Sequence, residues 1–322
     1  MSRSKDGGLT VVALVLSLAV CALGATALWL VLTGGEATAP EVTETTQTQV
    51  EGALEPRSFD EYSWEELAEV ARLIAAASTD DEGRAVAESY GVAVGDTRAL
   101  PLDDGRAATL TVVGIRADRR ADGTGVAGLT LMSSPISLRP VNDALTNAGG
   151  WEACSLRAWL AGEGRSLLPE GLASSLLAVS KSTNNAGVTT DAASVTQTAD
   201  ELWLFSASEV CGAPGWFVAE YGEDPNPYTG YVDFSVYDAL LAAEGAQYEY
   251  FALAGVSGSS DPAGVLSLSY GGTEVAWWYR TAYPYSYTGQ DASYFYQVMA
   301  SGYPCVTALA TDEAGVVVGM CL

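Results

Sequence analysis

Two stretches near the C-terminus decide the reading of this chain: Ala276-Trp277-Trp278-Tyr279-Arg280 (AWWYR) and Gly315-Val316-Val317-Val318-Gly319-Met320-Cys321-Leu322 (GVVVGMCL). Both are short runs rich in aromatic or β-branched residues, which marks strands. Between them lies Tyr283-Pro284-Tyr285-Ser286-Tyr287-Thr288-Gly289-Gln290, a loop of Tyr, Ser and Gly. Residues 270–303 carry 11 of the 30 aromatics: Tyr270, Trp277, Trp278, Tyr279, Tyr283, Tyr285, Tyr287, Tyr294, Phe295, Tyr296 and Tyr303. Paratopes use this vocabulary, because Tyr offers a large contact area at low entropic cost while Ser and Gly adapt. Trp277, Trp278 and Phe295 are expected in the core. Tyr283, Tyr285, Tyr287, Gln290, Asp291, Tyr294 and Tyr296 are the candidate ligand contacts. Arg280 joins them as a residue able to pair with a ligand carboxylate, although a structural salt bridge is the favoured reading for it and for Arg157.

Upstream, Ala107–Arg116 and Val126–Ser133 read as two strands joined by the Asp122-Gly123 turn of a hairpin. Trp151–Leu160 reads as one amphipathic helix, Glu201–Ser206 as a short strand, and Glu244–Phe251 as the start of a helical turn. Mixed hairpins and short helices predict one α+β domain with long loops over residues 97–322. Before it, Ser63-Trp64-Glu65-Glu66 resembles a capping box. Trp64, Leu67, Val70, Ala71 and Ile74 follow at helical spacing, and a second short helix is expected from Asp80 to Tyr90. The two form a small helical neck, residues 58–96.

The N-terminal part has a different texture. Residues 9–33 form a run without charge, long enough to cross a bilayer. Arg3 and Lys5 precede it, and Glu36, Glu41 and Glu44 follow. That asymmetry predicts a single-pass membrane anchor with a cytoplasmic tip at residues 1–8 and an exported C-terminal domain. Cleavage after Ala39, or lipidation at Cys21, are the rival readings; Pro40 and the bulky Val20 argue against each. Residues 34–57, rich in Thr, Glu, Pro and Gly, read as a disordered linker.

Composition removes several function classes. The chain has 322 residues, with 15 Lys and Arg, 40 Asp and Glu, no His and a net charge of −25. Without histidine, Ser-His-Asp and Cys-His nucleophile systems and His-ligated metals are excluded. The acidity argues against nucleic acid. No catalytic motif is present, so an enzyme is less favoured than a binder. With 40 acids, chance pairs such as Glu209 and Glu244 have no standing as a glycosidase dyad. Cys154, Cys211, Cys305 and Cys321 allow two disulfides in an exported domain. No cofactor is expected. Asp224-Pro225-Asn226 is similar to the calcium-holding Glu-Pro-Asn element of lectins, yet its Trp-Asn-Asp partner element is absent and the stretch also reads as a turn.

An ordered set of motifs carries a resemblance. These are Gly149-Gly150-Trp151-Glu152 running into Ser155–Leu160 (SLRAWL), Thr183–Gly187 (TNNAG), Leu202–Glu209 (LWLFSASE), Glu244–Phe251 (EGAQYEYF) and Trp277–Thr281 (WWYRT). Together they resemble a domain-of-unknown-function family of bacterial exported proteins. The Trp-Trp-x-Arg strand with its following loop and final Gly-Val strand is also similar to the C-type lectin-like fold. Tyr279 and Thr281-Ala282 depart from the Leu and Ser-Pro common there. The resemblance implies a ligand-binding scaffold at the bacterial cell surface, taking a glycan or protein ligand. A structural protein of the envelope, or a hydrolase of envelope polymers, are the alternatives.

Overall fold

Trp277 and Trp278 are consecutive in a strand, so they project to opposite faces. In the computed structural model, which describes residues 54–222, 230, 232–258, 263–286 and 292–322, each is fully buried in a different hydrophobic core. The Trp277 indole donates to Leu266 O and the Trp278 indole to Arg139 O. The same alternation divides Val112 from Val113 and Val318 from Val317 between the two cores.

The strands are β1 (Thr97–Pro101), β2 (Ala107–Ile115), β3 (Leu129–Ser133), β4 (Leu138–Arg139), β5 (Val179–Asn184), β6 (Val195–Asp200), β7 (Leu202–Leu204), β8 (Leu268–Tyr270), β9 (Thr273–Val275), β10 (Trp277–Ala282), β11 (Tyr294–Val298), β12 (Val306–Leu309), β13 (Ala314–Gly315) and β14 (Val318–Cys321). One sheet has the order β1-β2-β3-β14-β7 and a second β12-β11-β10-β13-β4; β5-β6 and β8-β9 are two-stranded ribbons. With short helices between them, the architecture is α+β. The last strand is internal: β14 lies antiparallel between β3 and the edge strand β7. The predicted hairpin is β2 with β3, its Asp122-Gly123 turn closed by the Arg119–Val126 bridge.

The helices of the expected neck, Trp64–Ala75 and Asp80–Ser89, start at Ser63 and Thr79 caps whose hydroxyls accept from Glu66 N and Glu82 N. Leu67, Val70, Ala71 and Ile74 enter the first core, and Leu54–Leu322 forms one unit. At Gly128 the chain comes so close to the first helix that an added Cβ would stand 1.9 Å from Ala71 O.

Two expectations meet a different outcome, and a third lies outside the described residues. Trp151–Leu160 is not one helix: it breaks at Cys154, which is extended (φ −72°, ψ 146°) between helices Gly150–Ala153 and Ser155–Trp159. The break serves Trp151, whose ring is fully buried and whose indole donates to Asp200. It is held by Asn142, which accepts from Ser155 N. The four cysteines are free thiols instead of disulfides. Cys154 and Cys321 belong to the first core and Cys211 and Cys305 to the second. Burial pushes the Cys154 and Cys305 thiols up to about 12 and Cys211 to about 11. The expected tip, anchor and linker up to residue 53 lie outside the described residues. Among the described residues no helix is long and apolar enough to cross a membrane.

Candidate functional site

The motifs picked out in sequence meet in space around Arg280. Its strand, β10, carries it inward, and no part of the side chain is exposed. Each of its guanidinium nitrogens is engaged: Nε donates to Thr183 Oγ1 at 2.8 Å, Nη1 to Leu204 O at 2.9 Å and to Glu209 Oε2 at 2.5 Å. Nη2 donates to Glu209 Oε1 at 3.0 Å, Glu244 O at 2.9 Å and Ser182 O at 3.1 Å. The planar fork suits a two-point grip on Glu209. Glu209 is presented by a capping box at the start of helix Ala207–Cys211: Ser206 Oγ accepts from Glu209 N, and Glu209 Oε2 accepts from Ser206 N. Arg280 is therefore a structural ion pair with all its donors spent inside the protein.

Glu209 also faces Lys181, which sits 2 % exposed. The Lys181 ammonium reaches Asp118 Oδ1 and the Tyr248 hydroxyl at 2.5 Å and Glu209 Oε1 at 3.0 Å, with the Trp203 ring 4.1 Å away. Asp118 accepts in turn from Thr130 at 2.6 Å and from Tyr248 at 2.9 Å. Burial alone drives Asp118 and Glu209 toward protonation; the facing cations overcome it and hold both below the ordinary carboxylate range. Lys181 is held above its ordinary value, its acids outweighing its burial. Glu244 goes the other way. Burial pushes it from 4.5 to about 7, with Arg280, Thr281 and Asn184 only partly opposing. The result is a buried network in which charges are paired and one carboxyl is poised near neutrality.

The predicted ligand contacts map to a second place. Tyr283 and Tyr285 are half-buried and pack on Phe217, Phe234 and Tyr237, the Tyr285 ring lying 5.3 Å from both Phe234 and Tyr237. Tyr221 stacks on Phe234 at 4.3 Å and meets Tyr285 at 6.2 Å. Tyr294 is half-buried beside Tyr283. Tyr296 is only 3 % exposed and packs on Trp216. Tyr287, Gln290 and Asp291 lie outside the described residues, as does Asp224-Pro225-Asn226. Trp277, Trp278 and Phe295 are core. The tyrosines therefore cap an aromatic cluster supplied by helices Trp216–Tyr221 and Ser235–Ala242, which sequence reading did not connect to them. Among the described residues, no group of three or more acids and cysteines is arranged to hold a metal.

Sequence reading also missed Lys181, Asp118 and Tyr248. The signal was present in Glu244–Phe251, whose Tyr248 is the fifth residue of a quoted motif, and in Lys181, two residues before Thr183–Gly187. What hid Lys181 is its element: β5 and β6 are polar and their inward positions include Lys181, Thr183 and Thr198.

No curated protein and no solved structure matches the chain. Residues 127–322, which contain the Lys181–Glu209–Arg280 network and the aromatic cluster, match the sequence profile described as a domain of unknown function, DUF6273, and the chain belongs to that family.

Proposed function

We propose that this protein is a ligand-binding module of C-type lectin-like architecture, carried on the outer side of a cell membrane by the apolar segment 9–33. The observation that carries the reading is the aromatic face: Tyr221, Tyr283 and Tyr285 are each half-buried, fixed from below by Phe217 and Phe234. Rings held in this way lose little freedom on binding, which suits stacking against sugars or protein side chains. A rigid scaffold beneath a loop-borne surface is the usual arrangement of binding modules. Support for the architecture comes from the C-terminal strand β14 being paired on both sides within its sheet and from the two cores that flank β10. The family is one of unknown function, so it does not supply the ligand. The ligand classes are a glycan or a protein of the envelope or of a host.

The experiment is a glycan array together with capture of envelope proteins by the wild-type chain. Saturable binding of one glycan class or one protein is expected. Absence of both, in chain that unfolds cooperatively, overturns the reading in favour of a structural role, and turnover of a cell-wall polymer overturns it in favour of a hydrolase.

A further inference from the structure

The buried network opens on one side into a cleft of about 580 Å³, within the range of small-molecule sites. Its walls come from helix Asp80–Ser89, the turn after β2, the outer edge of β5 and the segment Glu244–Glu249. The β5 edge is fastened at both ends: Ser180 N donates to Arg119 O, and Asn184 N to Glu244 Oε1.

The polar groups of the lining divide into spent and free. Every acid is spent. Asp80 faces Arg116 and Glu249 faces Arg84; Asp118 and Glu209 face Lys181; Glu244 accepts from Thr281 and Asn184. Arg119 is free. Among the described residues every other lysine and arginine has an acid at ion-pair distance or, for Arg98, the Trp64 ring at 3.8 Å; exposed Arg119 has neither. In a chain with 40 acids to 15 bases, such an arginine is exceptional. The side chains of Ser180, Ser182 and Gln197 and the backbone N–H groups of Gly245, Ala246 and Gln247 also meet no partner among the described residues.

We propose that this cleft binds a small hydroxylated carboxylate of the uronic acid class, with Arg119 holding the carboxylate. A guanidinium fork matches a carboxylate geometrically, and the free hydroxyl, amide and peptide donors match sugar hydroxyls. The lining excludes the neighbouring classes. An amino-acid zwitterion would bring an ammonium group that finds every acid already paired. A fatty acid would find only Ile115, Ala117, Ala246 and the Tyr248 ring as apolar lining. The site is independent of the aromatic face, and the two stand or fall separately.

The test is calorimetric titration of the full chain with sodium D-glucuronate, and with D-glucose as the probe lacking the carboxylate. Saturable binding of glucuronate and none of glucose at equal concentration is expected. Arg119→Gln weakens glucuronate at least tenfold with an unchanged melting temperature, since Arg119 is exposed. Tyr285→Ala leaves it unchanged. No saturable glucuronate binding, an equal response to glucose, or wild-type affinity in Arg119→Gln overturns the proposal. Loss of binding in Tyr285→Ala alone places the sugar on the aromatic face and also overturns it.

Discussion

Glu209 is the residue on which the interior depends. It sits 4 % exposed, between Arg280 and Lys181. Removing one partner of a buried ion set leaves charge without compensation, which costs about 3–5 kcal/mol. Glu209→Ala is therefore expected to lower unfolding free energy in urea by about 4 kcal/mol, or to prevent folding; a loss below about 1 kcal/mol would show that Arg280 and Lys181 find other partners. Glu244 makes a prediction of opposite kind. Its folded value, about 7, lies above the ordinary 4.5, so the folded state binds the proton more tightly than the unfolded one. Ionising it therefore weakens the fold progressively as pH rises from about 4.5 to 7, by up to roughly 3 kcal/mol at about 1.4 kcal/mol per tenfold change in proton affinity. The wild type should lose stability relative to Glu244→Gln between pH 5 and pH 8. Parallel pH profiles for the two would contradict this. Asp118 and Glu209, held low, lose their contribution only as pH falls below the ordinary carboxylate range. At this scale the sequence was partly legible. Arg280 could be read as a structural ion pair because acids are in excess, but its partner could not be named from 40 acids. Glu209 and Glu244, a pair with no standing in sequence, both converge on Arg280, since only the fold brings helix Ala207–Cys211 and residue 244 to β10.

The elements that were legible are those whose buried face is apolar. The helix Trp64–Ala75 buries Leu67, Val70, Ala71 and Ile74 at helical spacing behind a Ser63 cap, and the β2-β3 hairpin carries its own turn signal. Ser63→Ala should cost about 1 kcal/mol, the usual worth of such a cap. Thermal unfolding would check it. The β5-β6 ribbon was not legible, because charged Lys181 occupies a core position where a hydrophobic residue is the usual strand signal. The Trp151–Leu160 helix was misread in its continuity. Its apolar spacing is helical on both sides of Cys154, and the break is imposed by tertiary contacts of Trp151 and Ser155 that spacing does not encode. Nearby, Gly150 has φ +52°, and a Cβ there would stand 2.1 Å from Asn184 O. Among the described glycines, an added Cβ would meet its nearest neighbour at Gly128. Gly128→Ala would press a methyl on the Ala71 carbonyl, and overpacking of this kind costs about 1–3 kcal/mol, occasionally more. A melting temperature equal to wild type would show that the first helix can move away freely.

Across the whole molecule, the separation of roles is the main result. The inward side of β10 and its neighbours is an ion-paired interior, while the chain after β10 builds the aromatic face. The net charge of −25 belongs to neither: among the described residues, buried Asp118 and Glu209 are matched by Lys181 and Arg280 and buried Asp200 by Arg157, while the acids at exposed positions favour solubility. The α+β class and the core tryptophans were legible in sequence. The aromatic face was legible only as composition, because Phe217, Tyr221, Phe234 and Tyr237 come from two helices and a helix cap more than forty residues before Tyr283. The function proposed for the chain turns on this face as the surface that meets its glycan or protein ligand. The most direct measurement is the affinity of the ligand identified by array or capture for wild type and for the Tyr221→Ala/Tyr285→Ala double variant, at matched melting temperature. At least a tenfold loss is expected, since truncating central aromatic contacts costs about 2 kcal/mol or more. Affinity unchanged in a folded double variant would contradict it.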